Sequence, residues 1–230
     1  MRKLLIIIAV FVNSSVFAQF KSGLITYSLT PVANVSDSAK VALNSLMETS
    51  SFTYAFNKKK ARFDLNLYAT IMYSKVADMK KGNTLEMLRF IKGEGDFMSA
   101  RNAELEALLD SVKCEVELVS GETKEIFGYT CNLASITNKV GTTKCWYSKE
   151  VQKKYRGGFK LLEMDIPGVP LEFTSEITGL KLNFVCTDVK ERKKWDEQTF
   201  STEIPEGYTV HNERPRKPRE DMKPLPMEKK

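Results

Sequence analysis

The sequence predicts a mainly β fold of the α+β type: one strongly curved antiparallel sheet, or half-barrel, with two short amphipathic helices on its concave face. Three observations carry that expectation. Apolar residues alternate with polar ones along most of the chain. Short turn signals separate the alternating runs. Only two stretches shift to helical spacing.

The elements follow in order. A strand is expected at 23–30. In "SFTYAFNKKKARFDLNLY", Phe52, Tyr54 and Phe56 alternate with polar or small residues. After the turn at Lys58, Lys59 and Lys60, Phe63, Leu65 and Leu67 alternate with Arg62, Asp64 and Asn66. Such a hairpin has one apolar and one wet face. Further strands are expected near 69–77, 84–92, 114–119, 126–137, 142–148 and 159–164. Within "EIFGYTCNLA", Phe127, Tyr129, Cys131 and Leu133 share one face if the segment is extended. In "LEFTSEITGLKLNFVC", a two-residue turn at Thr178-Gly179 pairs Ile177 with Leu180, Phe173 with Phe184, and Leu171 with Cys186.

The period changes twice. Ala39, Ala42, Leu43, Leu46 and Met47 follow helical spacing behind the capping residues Ser36 to Ser38, which predicts a helix over 36–48. Leu105, Leu108, Leu109 and Val112 predict a second over 102–110, after Asn102. Laid on a curved sheet, two such helices either cover an open cleft or seal a dry core.

The chain opens "MRKLLIIIAVFVNSSVFAQF". Arg2 and Lys3, the apolar run Leu4 to Val12 and the small residues Val16 and Ala18 have the order of a signal peptide over 1–18, cleaved before Gln19. Nine apolar residues are too few for a spanning helix, which needs about 20. No later stretch reaches that length, so the expectation is an exported protein of the periplasm or cell envelope without a transmembrane segment. About 212 residues remain, enough for a single β-rich domain over 19–204. The last part, 205–230, holds five of the eight prolines and reads as a disordered, charged tail.

Charge and residue types narrow the chemistry. Without Arg2 and Lys3, 33 basic residues face 29 acidic ones, a net +4. The lysines cluster at turns, where they protect sheet edges, and no continuous basic face for nucleic acid emerges. His211, in the tail, is the one histidine, which excludes the usual histidine-based triads and metal sites. Acidic pairs such as Glu94 and Asp96, or Asp196 and Glu197, lack calcium-loop spacing. No glycine-rich phosphate loop occurs. No enzyme, no cofactor and no metal are expected.

Cys114, Cys131, Cys145 and Cys186 show no C-x-x-C spacing. Export permits disulfides, and four cysteines allow three pairings. Cys131 and Cys145 lie on consecutive expected strands flanking "NKVG", which favours that bridge. Cys114 and Cys186 sit on apolar faces, where they pair or pack as small hydrophobes.

"EIFGYTCNLA", then "CWYSKEV", then "LLEMDIPGVPLEF" form an order that resembles the exported bacterial proteins called the GLPGLI family, and the neighbouring group known as domain of unknown function 4412. The matching residues are Gly128, Tyr129, Cys131 and Ala134; Trp146, Tyr147 and Glu150; and Gly168, Pro170 and Leu171. "IPGVPLEF" stands where the namesake hexapeptide would be, which favours the neighbouring group. The resemblance covers residues 121–175 and implies a half-barrel like that of periplasmic lipoprotein carriers, with a cleft for acyl chains. It supplies no catalytic residue.

Three classes follow. The first is a non-enzymatic carrier that binds a lipid or lipoprotein acyl chain along Phe52, Tyr54, Phe56, Phe63, Leu65, Leu67, Leu171, Phe173, Leu182 and Phe184. The second is an envelope module with a dry core, whose partner is another envelope protein. The third, a hydrolase, needs carboxylates that the fold brings together.

Overall fold

The computed structural model describes residues 20–32, 41, 45, 47–91, 97–110, 114–138, 141–152, 157–162, 164–177 and 180–210. The expected signal peptide over 1–18, the turn at Thr178-Gly179 and residues 211–230 of the expected tail lie outside them.

The described chain forms one open sheet of 12 strands. These are β1 (Gly23–Pro31), β2 (Ser51–Phe56), β3 (Lys60–Leu67), β4 (Ile71–Asp78), β5 (Asn83–Phe90) and β6 (Phe97–Glu104). Then come β7 (Glu115–Ile126), β8 (Tyr129–Asn138), β9 (Gly141–Ser148), β10 (Val169–Ile177), β11 (Leu180–Glu191) and β12 (Thr209–Val210). Their order is β12-β6-β5-β4-β3-β2-β1-β11-β10-β9-β8-β7. Neighbours are antiparallel except the short parallel pair of β12 with β6. Two runs of hairpins, β2 to β6 and β7 to β11, meet where β1 pairs with both β2 and β11.

The alternation expected of β3 is present without a break, with Ala61, Phe63, Leu65 and Leu67 buried and the residues between them half-buried. Pairing of β10 with β11 includes Phe173 opposite Phe184 and Ile177 opposite Leu180. That ladder begins at Glu172, so Leu171 falls at the register shift between β10 and β9.

Several expectations are corrected. Of the helix expected over 36–48, most residues lie outside those described; Val41, Ser45 and Met47 are helical. The helix expected over 102–110 begins at Leu105, as α1 (Leu105–Asp110). Asn102 to Glu104 instead extend β6, because they pair with Asn83 to Leu85. The strand expected at 159–164 is a short 3-10 helix, Gly158–Leu162, and it plants Phe159 in the core. Its entry is cramped: a Cβ on Gly158 would lie 2.8 Å from the Tyr54 hydroxyl oxygen. Phe127 does not continue a strand either. With φ values of 49° and 79°, Phe127 and Gly128 form a tight turn between paired Ile126 and Tyr129, so the Phe127 ring stands exposed. Past Pro205 the chain is still packed: Tyr208 packs against a buried cluster that includes Phe200, and β12 adds to the sheet.

The expected Cys131–Cys145 bridge is absent, and all four cysteines are free. Register supplies the reason. Cys145 pairs with Ala134, three residues from Cys131. An odd offset turns two strand side chains to opposite faces, so the sulfurs cannot meet the geometry of a bridge.

The sheet curls around an aromatic core. Laid flat, β2 and β10 would be three strand spacings apart, about 14 Å. The rings of Phe52 and Phe173 on those strands are 6.1 Å apart. Phe173 stacks on Phe184 at 4.6 Å, and Phe159 meets Tyr54 edge-on at 4.6 Å. On the opposite face a smaller core joins Ala55, Val76, Leu85, Met87 and Ala100 to Phe200 of the returning C-terminal segment. Arg62 and Lys60 tie that segment down through hydrogen bonds to the carbonyls of Thr199 and Phe200.

Candidate functional site: a cleft on the aromatic face

A cavity of about 480 Å3 opens on the curled face. Its floor is Phe52, Phe63, Leu65, Leu67, Phe173 and Phe184. These rows come from β2, β3, β10 and β11, so curling is what brings them together. Each is at most 3% exposed, because the rings pack on one another beneath the opening. Tyr54, Phe56, Leu171 and Leu182 are equally buried, but they belong to the core below and do not line the cavity among the described residues. Tyr54 donates its hydroxyl to Gln152 Oε1 at 3.1 Å.

One wall is charged. Phe63, Lys75, Glu86 and Arg101 stand directly opposite one another across β3, β4, β5 and β6. Lys75 Nζ lies 2.8 Å from Glu86 Oε1. The Tyr73 hydroxyl donates to the same oxygen at 3.1 Å, and the Arg101 guanidinium pairs with Glu86 Oε2. Burial pushes the Glu86 carboxyl up, but Lys75 and Arg101 together outweigh it and hold the group below its ordinary value. Glu86 is therefore ionised at neutral pH. Lys75 is itself buried, so the row places a compensated charge at the rim of an apolar floor.

The sequence reading missed Tyr73, Lys75, Glu86 and Leu88 as lining residues. A signal was available: Ile71, Tyr73, Lys75 and Ala77 alternate with the floor's period, so a lysine stands at an apolar-face position.

Three of the four thiols are buried and poor nucleophiles. Burial pushes the thiol of Cys131 up to about 12, with nearby Lys124 opposing it. Burial likewise pushes Cys186 up to about 12 and Cys145 higher still. Such thiols stay protonated at neutral pH and react slowly. Among the described residues no group of three or more His, Cys, Asp or Glu side chains is placed to hold a metal ion. No helix among them is long and apolar enough to cross a membrane.

The fold is that of an open, curled antiparallel sheet with an apolar cleft. No protein-family model and no curated protein matches the chain. Among solved structures it is similar to PNGF-II. The P21 crystal form gives a TM-score of 0.50 at 16% identity over 83% of this chain and 31% of that one. The C2 form gives 0.49 at 16% identity over 82% and 30%. The likeness is one of fold, and this chain spans about a third of the length of PNGF-II.

Proposed function

We propose that this is an exported, non-enzymatic binding protein whose curled sheet acts as a half-barrel and holds a hydrophobic ligand, the acyl chain of a lipid or lipoprotein. The observation that carries the reading is the 480 Å3 cleft, in which an aromatic floor meets the charged Lys75–Glu86 wall, with Glu176 of β10 also lining it. Ligand sites typically combine about 300–1,000 Å3 of apolar cavity with a few polar groups that orient the ligand. An acyl chain would lie along Phe52, Phe63, Leu65 and Phe173, with its polar head toward Tyr73 and Lys75. The signal-peptide order and the resemblance to GLPGLI-type proteins agree with an envelope location. A chain of 14 carbons gains about 0.8 kcal/mol per methylene, on the order of 10 kcal/mol gross. Association and ordering costs take about half of that or more, leaving micromolar to millimolar affinity, which suits a carrier.

A second reading rests on the low exposure of the floor. Met47, Leu105 and Phe159 already pack into the same core, as expected of an envelope interaction module with a dry core. Mass spectrometry of the organic extract from protein purified out of the envelope separates the two. Co-purified lipid at near-stoichiometric yield supports the carrier. Its absence, together with a stable complex with another envelope protein, supports the module.

A further inference from the structure

A groove of about 790 Å3 lies on the opposite face of the sheet from that cleft, under the C-terminal segment. We infer that this groove is a second binding site, for a neutral polyhydroxylated ligand such as a pyranose ring or short glycan. Its charge balance is the first reason. Arg62, Arg89, Asp64 and Glu203 all line it, two cations and two carboxylates, so a charged ligand would leave one sign unmatched. Sugar hydroxyls donate and accept at once, which suits a wall that offers guanidinium, carboxylate and amide groups together.

The second reason is that the anchor is built in advance. Arg62, Asp64 and Asn66 alternate along β3 and so share a face. Ser74 pairs with Asp64 across β4 and donates to Asp64 Oδ1 at 2.6 Å. Arg62 Nε donates to Oδ1 at 2.9 Å and to Oδ2 at 2.7 Å. An ionised carboxylate has about four acceptor positions, and the Asp64 side chain keeps 37% exposure, so it still has room for a ligand hydroxyl. Met72, opposite Asn66, and Met87, opposite Ser74, interleave apolar surface with these groups. The C–H face of a sugar ring lies well on such soft side chains.

The third reason is an unsatisfied acceptor. Asn66 lines the groove, and its Oδ1 is buried without a hydrogen-bond partner. A buried acceptor without a donor destabilises the folded chain and calls for an explanation. The terminal amide torsion is broad, so a turn about it presents the oxygen to a hydroxyl in the groove. Asn66 then costs stability in the free protein and contributes affinity in the complex.

The test uses the full mature chain and four probes: methyl α-mannopyranoside, methyl β-galactopyranoside, methyl β-glucopyranoside and N-acetylglucosamine. Each is titrated in the millimolar range by saturation-transfer NMR. At least one should bind saturably. Asp64→Asn and Asn66→Leu should each weaken it by about ten-fold or more, while Asn66→Leu leaves the thermal midpoint unchanged or raised. Leu88→Asp, on the opposite face, should leave sugar binding intact whether or not an acyl chain binds there. Failure of all four probes overturns the inference, as does binding that survives both groove variants or is lost in Leu88→Asp.

Discussion

Replacing Glu86 by Gln keeps the side chain's shape and removes its charge, which leaves Lys75 without its carboxylate. The Lys75 side chain is 8% exposed and its nitrogen sits 2.8 Å from Glu86, so water cannot replace the lost partner. Breaking a buried pair from one side costs about 3–5 kcal/mol. With a urea slope of about 2 kcal/mol per molar, the unfolding midpoint should fall by about 2 M. Lys75→Met combined with Glu86→Leu removes both charges and should return stability to within about 1 kcal/mol of wild type. Arg101 tolerates the loss because its side chain is 48% exposed. The pH dependence has a definite sign. Glu86 is held below its ordinary value of 4.5, so its contribution is present above that pH and is lost as pH falls through the lower folded value. Urea denaturation of the three proteins between neutral pH and the acid limb reads all of this. A Glu86→Gln cost below about 1 kcal/mol, or a double variant as unstable as the single one, would refute the picture of a compensated buried row.

Denatured, non-reduced protein should titrate four free thiols, since all four cysteines are unbonded; a count of two or none restores the bridge. In the folded protein Cys114, which is only half-buried, should react first with a thiol reagent. Phe184→Ala should destabilise the fold by about 3–5 kcal/mol in thermal or urea unfolding, because its ring stacks on Phe173 and meets Phe52 at 5.1 Å; a smaller loss would mean a loosely packed floor. Phe127→Asn should raise stability by about 1 kcal/mol, since a bulky side chain is held at positive φ in a turn that Asn accepts; an unchanged unfolding midpoint counts against that turn.

Where each strand buries one face, the sequence was legible. The row Phe63-Leu65-Leu67 alternates cleanly, the row Phe52-Tyr54-Phe56 is buried although Ala55 within it is buried on the other face, and β10 pairs Phe173 with Phe184 of β11 as expected. Legibility failed where an element's partner decides its form. Asn102 to Glu104 begin a pattern compatible with a helix, yet β5 offers them a ladder. Phe159 sits in a run of apolar residues that reads as a strand, but the pocket above Tyr54 takes it on a 3-10 turn. The cysteine bridge failed on counting: an offset of three residues across one hairpin reverses the face. The floor of the cleft was visible as apolar rows. The charged wall was not, because Lys75, Glu86 and Arg101 come from three strands and meet only through register.

The central claim is that the aromatic face takes up an acyl chain, and a fluorescence titration with cis-parinaric acid tests it most directly. Phe173→Asp is unsuited to the purpose, since a charge in that packed floor should unfold the chain. Leu88 lines the cleft and is only half-buried, so Leu88→Asp should leave a folded protein with a charged entrance. Wild-type protein should bind the probe saturably at tens of micromolar or tighter, release it to palmitate, and lose at least about ten-fold in affinity on Leu88→Asp. No saturable binding to the wild type, or equal binding by a folded Leu88→Asp variant, contradicts the claim.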